Sequence, residues 1–167
     1  MNNDGFIMPK KRLVWALLAV FAVLILGFAM LLRTDLRRAK SVDPAAYTET
    51  LTGSFKYLCE VSHTGGAAVF SGWALVEGEK FESVDTRVVL YNAEDGVYLE
   101  VPTTMSDRPD TRETINDGIN YAFGGFYAFL TDKQLKYPLE SYEICIAFRS
   151  NRHNALVRTG QFAEVTA

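Results

Sequence analysis

Residues 13–32 form an apolar run (LVWALLAVFAVLILGFAMLL) of twenty residues without a charge. A helix of that length is about 30 Å long, which matches the hydrocarbon core of a bilayer. A buried helix of a soluble domain normally carries a polar stripe, and this run has none. The run therefore predicts a transmembrane helix.

The main alternative is a cleavable signal peptide, because a basic triplet at 10–12 precedes the apolar run. The apolar core of a signal peptide is usually about 7 to 15 residues long, which is shorter than this run. The run also ends in Leu31-Leu32-Arg33, without a small-x-small cleavage site. We therefore predict an uncleaved anchor.

Basic residues lie on both sides of the span, three before it at 10–12 and four after it at Arg33, Arg37, Arg38 and Lys40. The positive-inside rule is therefore nearly balanced. A short basic tail usually stays in the cytoplasm, whereas a long C-terminal domain is translocated largely regardless of its charge. The expected order is a cytoplasmic tail (1–12), a single span (13–32), a basic juxtamembrane stalk (33–52) and an extracytoplasmic domain (53–167) at the cell membrane.

The charge of the chain is divided between its two parts. Residues 1–40 carry seven Lys/Arg against two Asp/Glu, and residues 41–167 carry ten against eighteen, which gives +5 and −8 within a total of −3. Nucleic-acid binding needs clustered Lys and Arg to contact phosphates. The acidic C-terminal part therefore argues against nucleic acid as a partner and leaves the lipid bilayer and an envelope protein or glycan.

From residue 54 the apolar pattern has a period of two, which is typical of strands, with turn residues every 8 to 15 positions. It predicts an all-β domain, a seven-stranded immunoglobulin-like sandwich. The expected strands are 54–62, 67–76, 84–92, 97–102, 123–131, 140–149 and 155–165. The polar stretch 103–121 is too polar for a central strand and too long for an ordinary loop, so it either crosses between the sheets or covers one of them.

Several short motifs follow one another along this domain: Phe70-Ser71-Gly72-Trp73-Ala74, Val88-Val89-Leu90-Tyr91, Val97-Tyr98, Arg108-Pro109-Asp110, Gly124-Gly125-Phe126 and Ser141-Tyr142-Glu143-Ile144. In this order they resemble bacterial immunoglobulin-like accessory modules found beside glycosyltransferases, methyltransferases and cell-envelope polysaccharide enzymes. The resemblance covers roughly residues 52–166. It implies a non-catalytic accessory or recognition role and no catalytic residues.

Five residues are candidates for ligand binding. Arg108 and Asp110 flank a proline and either clamp a sugar or carboxylate or form an ion pair that holds the long loop. Trp73, Tyr98 and Tyr121 belong to a possible aromatic platform for sugar rings, and their alternative role is core packing. Tyr91, Phe123 and Tyr127 are further members of this platform.

Metal and cofactor sites have little support in the sequence. The acidic residues Asp107, Asp110, Glu113 and Asp117 lack the spacing of a calcium loop, and we expect a solvated acidic loop. Histidines 63 and 153 have no ligands at metal spacing and are expected at the surface. No cofactor motif is present, so none is predicted.

The strand pattern sends one of the two cysteines, Cys59 and Cys145, inward and the other outward. Unpaired, inert thiols are therefore preferred to a disulfide between the sheets.

The sequence contains none of the common nucleophile, zinc-protease or phosphate-loop motifs, so an enzyme is not expected. The predicted function is a single-pass, membrane-anchored envelope protein whose sandwich recognises a protein or a cell-surface glycan. The alternative is a structural subunit of a larger membrane assembly, because small residues at Ala16, Ala19, Ala22, Gly27 and Ala29 allow close helix packing.

Overall fold

The computed structural model describes residues 7–164, apart from the side chains of residues 7–9, 112 and 113. The expected cytoplasmic tail (1–12) and the end of the expected β domain (53–167) thus lie partly outside the described residues. The chain divides between Arg37 and Arg38 into two compact units, a helix and a β domain.

The first unit is a single helix, α1 (Ile7–Leu36). Its thirty residues make it about 45 Å long, so the helix continues beyond the predicted span of 13–32 at both ends. Leucine and alanine favour this helix, and its large apolar side chains from Leu13 to Leu36 are exposed. This helix is long and apolar enough to cross a membrane.

The second unit consists of two antiparallel sheets. Its strands are β1 (Lys40–Val42), β2 (Phe55–Thr64), β3 (Ala67–Val76), β4 (Thr86–Asn92), β5 (Val97–Glu100), β6 (Thr103–Ser106), β7 (Gly125–Thr131), β8 (Tyr142–Phe148) and β9 (Ala155–Phe162). The five-stranded sheet has the order β1-β5-β4-β8-β9, and the four-stranded sheet has the order β2-β3-β7-β6. The predicted all-β architecture is therefore confirmed.

The main core lies between the two sheets and follows the predicted alternation. On the five-stranded sheet, β4 pairs with β8 so that Val88 lies opposite Ile146 and Leu90 opposite Ile144, all fully buried. On the four-stranded sheet, β3 and β7 contribute the buried Phe70 and Leu130 to the same cluster. Burial of each large apolar side chain contributes about 1.5 to 3 kcal/mol to folding.

The number of strands differs from the prediction, because there are nine in the described residues rather than seven. The first additional strand, β1, lies in the segment expected to be a stalk and pairs with β5, with Lys40 opposite Glu100. The second, β6, lies in the expected loop and pairs with β7 at one edge of the four-stranded sheet. Both are short and polar, and only their long-range partners give them strand geometry.

The β domain consequently begins at Arg38 rather than at residue 53. Residues 43–50, which we call the lead-in segment, contact the connection between β8 and β9: the side-chain amide of Asn154 donates to the Ala46 carbonyl, and the backbone N–H of Thr48 donates to the Asn154 carbonyl. The lead-in segment is therefore part of the folded unit and not a free stalk.

A tight turn at Asp95-Gly96 joins β4 to β5. Gly96 has a φ of +68°, a left-handed conformation that costs glycine little. Its N–H donates to the Asn92 carbonyl at 3.0 Å, so the turn closes the hairpin.

Candidate functional site

The outer face of the four-stranded sheet is partly covered by residues 107–123, which we call the covering segment. It contains a short helix, α2 (Thr111–Thr114). Tyr121 of the segment forms a second apolar cluster with Trp73 and Leu75 of β3, and Ile115 and Ile119 pack against that cluster. The stretch expected to cross or cover a sheet therefore covers one, after its first four residues have paired as β6.

Arg108 fastens the beginning of the covering segment. Its guanidinium donates to both carboxylate oxygens of Asp110, with Nε–Oδ1 2.9 Å and Nη2–Oδ2 2.8 Å, and lies 3.8 Å from Glu60 of β2. The hydrogen bonds with Asp110 raise the pKa of Arg108 and lower that of the carboxyl group. This geometry agrees with the ion-pair interpretation of the Arg-Pro-Asp motif.

The sheet beneath Arg108 has a glycine at the contact. A Cβ atom on Gly125 would lie 2.5 Å from Cγ of Arg108 and 2.4 Å from the backbone oxygen of Ser106. The covering segment can approach β7 this closely only because residue 125 has no side chain.

Tyr121 fastens the other end of the covering segment. Its ring is fully buried, its hydroxyl donates to Asp117 Oδ2 at 2.5 Å, and that hydroxyl accepts a hydrogen bond from the Gly78 N–H at 2.7 Å. Burial and the neighbouring carboxylate raise the pKa of Tyr121. Tyr121 is thus a structural residue that positions Asp117.

A groove of about 500 Å³ lies between the start of β2 and the 114–117 turn of the covering segment. Its lining combines apolar and polar side chains: Phe55, Lys56, Tyr57, Trp73, Glu77, Thr114, Ile115, Asn116 and Asp117. We call it the Trp73 groove.

The indole of Trp73 is 5% exposed, and its Nε1–H is buried without a hydrogen-bond partner in the described part of the chain. A buried donor without a partner costs about 1 to 3 kcal/mol. Trp73 is also part of the groove lining, so this aromatic side chain lies where a ligand of the groove would bind.

The charged groups of the groove remain accessible. Lys56 and Glu77 form a 3.8 Å ion pair, and both are about half exposed. Hydrogen bonds from Tyr121 and the Ile119 N–H lower the pKa of Asp117 and keep it ionised. An ionised carboxylate held in this way is a hydrogen-bond acceptor for a ligand rather than an acid catalyst.

Four of the five predicted site residues lie in this region, because Arg108, Asp110 and Tyr121 belong to the covering segment and Trp73 lies beneath it. Trp73 lines the groove, whereas Tyr121, Arg108 and Asp110 fasten the segment that forms one wall.

Tyr98, the fifth, lies on the outer face of the other sheet. Its ring centroid is 4.5 Å from that of Tyr91, which also packs under the guanidinium of Arg158. Arg158 in turn donates to Glu143, whose side chain is 7% exposed. The predicted aromatic platform is therefore not a single surface, since Tyr91 and Tyr98 lie apart from Trp73.

Phe123 and Tyr127, the remaining members of the expected platform, are exposed near and on the outer face of the four-stranded sheet. Tyr127 lies there with Phe129, Leu58 and Val69, because these residues point away from the core in the register of β2, β3 and β7. We call these four residues the open face.

Both cysteines are free and buried, in separate clusters. Cys59 lies in the core between the sheets, and Cys145 lies on the outer face of the five-stranded sheet with Val89 and Ala147. Burial raises the pKa of each thiol to about 12. The expected difference in their directions is confirmed.

Both histidines lie in connections at the surface, but the side chain of His153 is only 17% exposed because it contacts two carboxylates. His63 is more open and hydrogen-bonds Asp132 at 2.9 Å. In the acidic set, Asp110 and Asp117 are engaged by Arg108 and Tyr121, and the side chain of Glu113 is outside the described residues. No cluster of three metal-ligating side chains occurs among the described residues.

Most residues of the groove are not among those predicted from the sequence, namely Phe55, Lys56, Tyr57, Glu77, Thr114, Ile115 and Asn116. The available signal was the apolar pair Ile115 and Ile119 in an otherwise polar stretch, which marks a segment that packs onto something.

Comparisons of the chain with protein-family models, with curated proteins and with solved structures give no match.

Proposed function

We propose that this chain is a non-catalytic, single-pass membrane protein of the bacterial envelope whose extracytoplasmic, immunoglobulin-like domain recognises a glycan in the Trp73 groove. The observation that carries this proposal is a groove that Trp73 lines together with hydroxyl, amide, ammonium and carboxylate groups, with an indole N–H that has no hydrogen-bond partner among the described residues. Sugars present apolar C–H faces and many oxygen acceptors, so an aromatic wall surrounded by polar side chains fits them.

The strand order supports the immunoglobulin-like assignment. Without β1, the sheets read β2-β3-β7-β6 and β5-β4-β8-β9. Lettered A, B, C, C′, D, E, F and G from β2 onward, these are the A-B-E-D and C′-C-F-G sheets of immunoglobulin-type sandwiches.

A second feature of that fold is a tyrosine near the start of strand F that hydrogen-bonds the preceding backbone. Tyr142 begins β8, and its hydroxyl accepts from the N–H groups of Lys136 and Tyr137 at 3.3 and 3.4 Å. This contact of Tyr142 supports the immunoglobulin-like assignment.

Anchoring is supported by α1, which is exposed over residues 10–36 and carries the basic triplet 10–12 before its apolar run. Alkaline carbonate washing should leave the full-length protein in the membrane pellet. In spheroplasts, added protease should digest the β domain. Protein in the supernatant would contradict the anchor, and a protected β domain would reverse the orientation.

A non-catalytic role is supported by the state of the groove carboxylates. Asp117 accepts a hydrogen bond from Tyr121 that lowers its pKa, so this carboxylate is not arranged as a proton donor. The groove is suited to binding a ligand without transforming it.

A second candidate function is docking of an envelope protein or assembly subunit, and the open face favours it. Tyr127 and Phe129 are 46% and 45% exposed and lie beside Leu58 and Val69 on one sheet surface. Exposed apolar patches of this kind often mark protein interfaces.

The test is a binding panel with the full-length protein in detergent micelles. The panel contains N-acetylglucosamine oligomers, glucose oligomers and soluble peptidoglycan fragments. We expect binding to at least one class, loss of it in Asn116→Ala, and retention in Tyr127→Ser. Retained affinity in Asn116→Ala together with loss in Tyr127→Ser would move recognition to the open face.

A further inference from the structure

Three chain segments meet at His153, in the connection between β8 and β9. The imidazole Nδ1 lies 2.8 Å from Glu49 of the lead-in segment, and Nε2 lies 3.0 Å from Glu79 of the connection between β3 and β4. Each ring nitrogen therefore faces a carboxylate oxygen.

This geometry requires a charged ring. An ionised carboxylate only accepts hydrogen bonds, and a neutral imidazole has one donor nitrogen, so both contacts form only when both nitrogens carry protons. Partial burial by itself would lower the pKa of His153, but the hydrogen bonds and charges of Glu79 and Glu49 outweigh it and raise the pKa above the ordinary value.

The other neighbours do not compete for the ring. From β8 the ring of Phe148 packs at 5.6 Å between centroids and is uncharged. The nearby arginines of the same connection have other partners, since Arg149 donates to Tyr47 and Glu100 and Arg152 pairs with Glu82. Glu49 and Glu79 are thus the charged groups that face His153.

The two carboxylates are held unequally. Glu49 also accepts from the Asn154 N–H at 3.1 Å, and its own N–H donates to the Asn154 carbonyl at 3.0 Å. Glu79 reaches His153 through the contact at Nε2 alone. When the ring loses one proton, the remaining proton is best kept at Nδ1 against Glu49, and the lone pair of Nε2 then repels Glu79.

We propose that His153 is a pH-sensitive latch, whose protonated ring ties the connection between β3 and β4 to the lead-in segment and whose deprotonation releases Glu79. This inference does not depend on any ligand of the Trp73 groove.

The release is local. Asn151 accepts from the Glu82 N–H at 2.8 Å and donates to the Lys80 carbonyl at 3.1 Å, and neither bond needs a charge on His153. The part freed is therefore the turn at Glu79, between the Gly78 N–H held by Tyr121 and the Lys80 carbonyl held by Asn151. Phe81, at its end, packs edge-on against Tyr121 with 6.3 Å between ring centroids, so the latch acts beside the Trp73 groove.

The protonation of His153 can be measured directly, because the chain contains two histidines. In full-length protein in micelles, NMR titration of His63→Gln follows His153 alone. We expect a pKa above the ordinary value of about 6.5. A pKa at or below that value would overturn the proposal.

The release is measured by amide hydrogen exchange of peptides that cover 77–81, corrected for the intrinsic effect of pH. Stabilisation by a group with a raised pKa is complete below its ordinary pKa and is lost as pH rises through the folded-state value. We therefore expect exchange of these peptides to quicken several-fold with increasing pH in the native protein and in the control His63→Gln.

Two variants should remove this increase of amide exchange with pH. In Glu79→Gln the amide can donate to a neutral Nε2, so the contact persists at high pH. In His153→Gln the site does not titrate, and exchange should be uniformly fast. An increase that survives in either variant, or that is missing from the native protein, would overturn the latch.

Discussion

The two sheets of the β domain differ in how their outer faces are closed. On the five-stranded sheet, side chains of the strands supply most of the cover, since Tyr91 and Tyr98 pack together and Arg158 joins Glu143, and Tyr47 of the lead-in segment adds to it. On the four-stranded sheet a separate segment covers Trp73 and Leu75, and the open face remains exposed. The Trp73 groove lies on the second sheet, at the margin of the added segment. A segment that folds back over a sheet leaves a groove where its edge meets the strands, and a ligand can bind in that groove.

The largest effect is expected from Gly125→Ala, which disturbs the contact between β7 and the covering segment. The new Cβ would lie 2.4 Å from the Ser106 oxygen and 2.5 Å from Cγ of Arg108, so the covering segment must lift. We expect a loss of about 2 to 4 kcal/mol in the free energy of unfolding, measured by denaturant titration. Gly27→Ala is the control, since nothing lies within 4 Å of its Cβ position. Equal stability of both variants would mean that the segment does not depend on contact with β7.

The next effect concerns the outer face of the five-stranded sheet and the pH dependence of the stability that it contributes. Hydrogen bonding by Arg158 lowers the pKa of Glu143 despite its burial, so its contribution to stability is present above the ordinary carboxyl pKa and is lost as pH falls through the folded-state value. Glu143→Gln should cost about 1 to 3 kcal/mol at neutral pH and reduce the loss of stability in acid. Thermal unfolding from pH 7 down to pH 3 tests this. If the variant loses as much stability as the native protein between pH 7 and pH 3, the acid sensitivity would come from other carboxylates.

A smaller effect is expected at the Arg108–Asp110 pair. Arg108→Ala should cost about 1 kcal/mol, and Asp110→Ala somewhat less, because Arg108 also packs on Gly125 and faces Glu60. The double variant should cost little more than Arg108→Ala, since both changes remove the same interaction. Melting temperatures of the three variants decide between a tie and a binding clamp. Unchanged melting in both single variants, with loss of glycan binding, would show that the pair belongs to the ligand site.

The smallest effect is an absence of reaction. Burial raises the pKa of Cys59 and of Cys145 to about 12, so both should resist a thiol reagent at pH 8 in the native protein and react fully in denaturant. In Cys59→Ala, Cys145 is the remaining thiol, and it lies under the side chains that cover the outer face of the five-stranded sheet. Rapid labelling of Cys145 would show that this outer face opens as readily as that of the four-stranded sheet.

The sequence predicted those parts of the fold that depend on local alternation. The seven predicted strands correspond to β2, β3, β4, β5, β7, β8 and β9. Each of these strands alternates apolar and other residues with a period of two or contains a run of buried residues. β1 escaped detection because Lys40-Ser41-Val42 has no local strand signal, and its conformation comes from pairing with residues 98–100.

The site was less predictable for the same reason. Trp73 was identified as a candidate from its residue type, but its groove is completed by Lys56 and by 114–117, which lie far apart in sequence and meet only because the covering segment folds back. His153 was predicted at the surface, since nothing in the local sequence indicates that Glu49 and Glu79 approach it. Contacts between distant polar residues leave no periodic pattern.

The most direct test of the central claim is the indole N–H signal of Trp73. The chain contains two tryptophans, Trp15 in α1 and Trp73 at the groove, so Trp15 is an internal control. The experiment titrates ¹⁵N-labelled full-length protein in micelles with the oligosaccharide that binds best in the panel. We predict that the Trp73 Nε1–H resonance shifts and saturates as the indole N–H gains an acceptor. The resonance of Trp15 should not shift. Saturable binding that leaves the Trp73 resonance unmoved would contradict recognition in this groove.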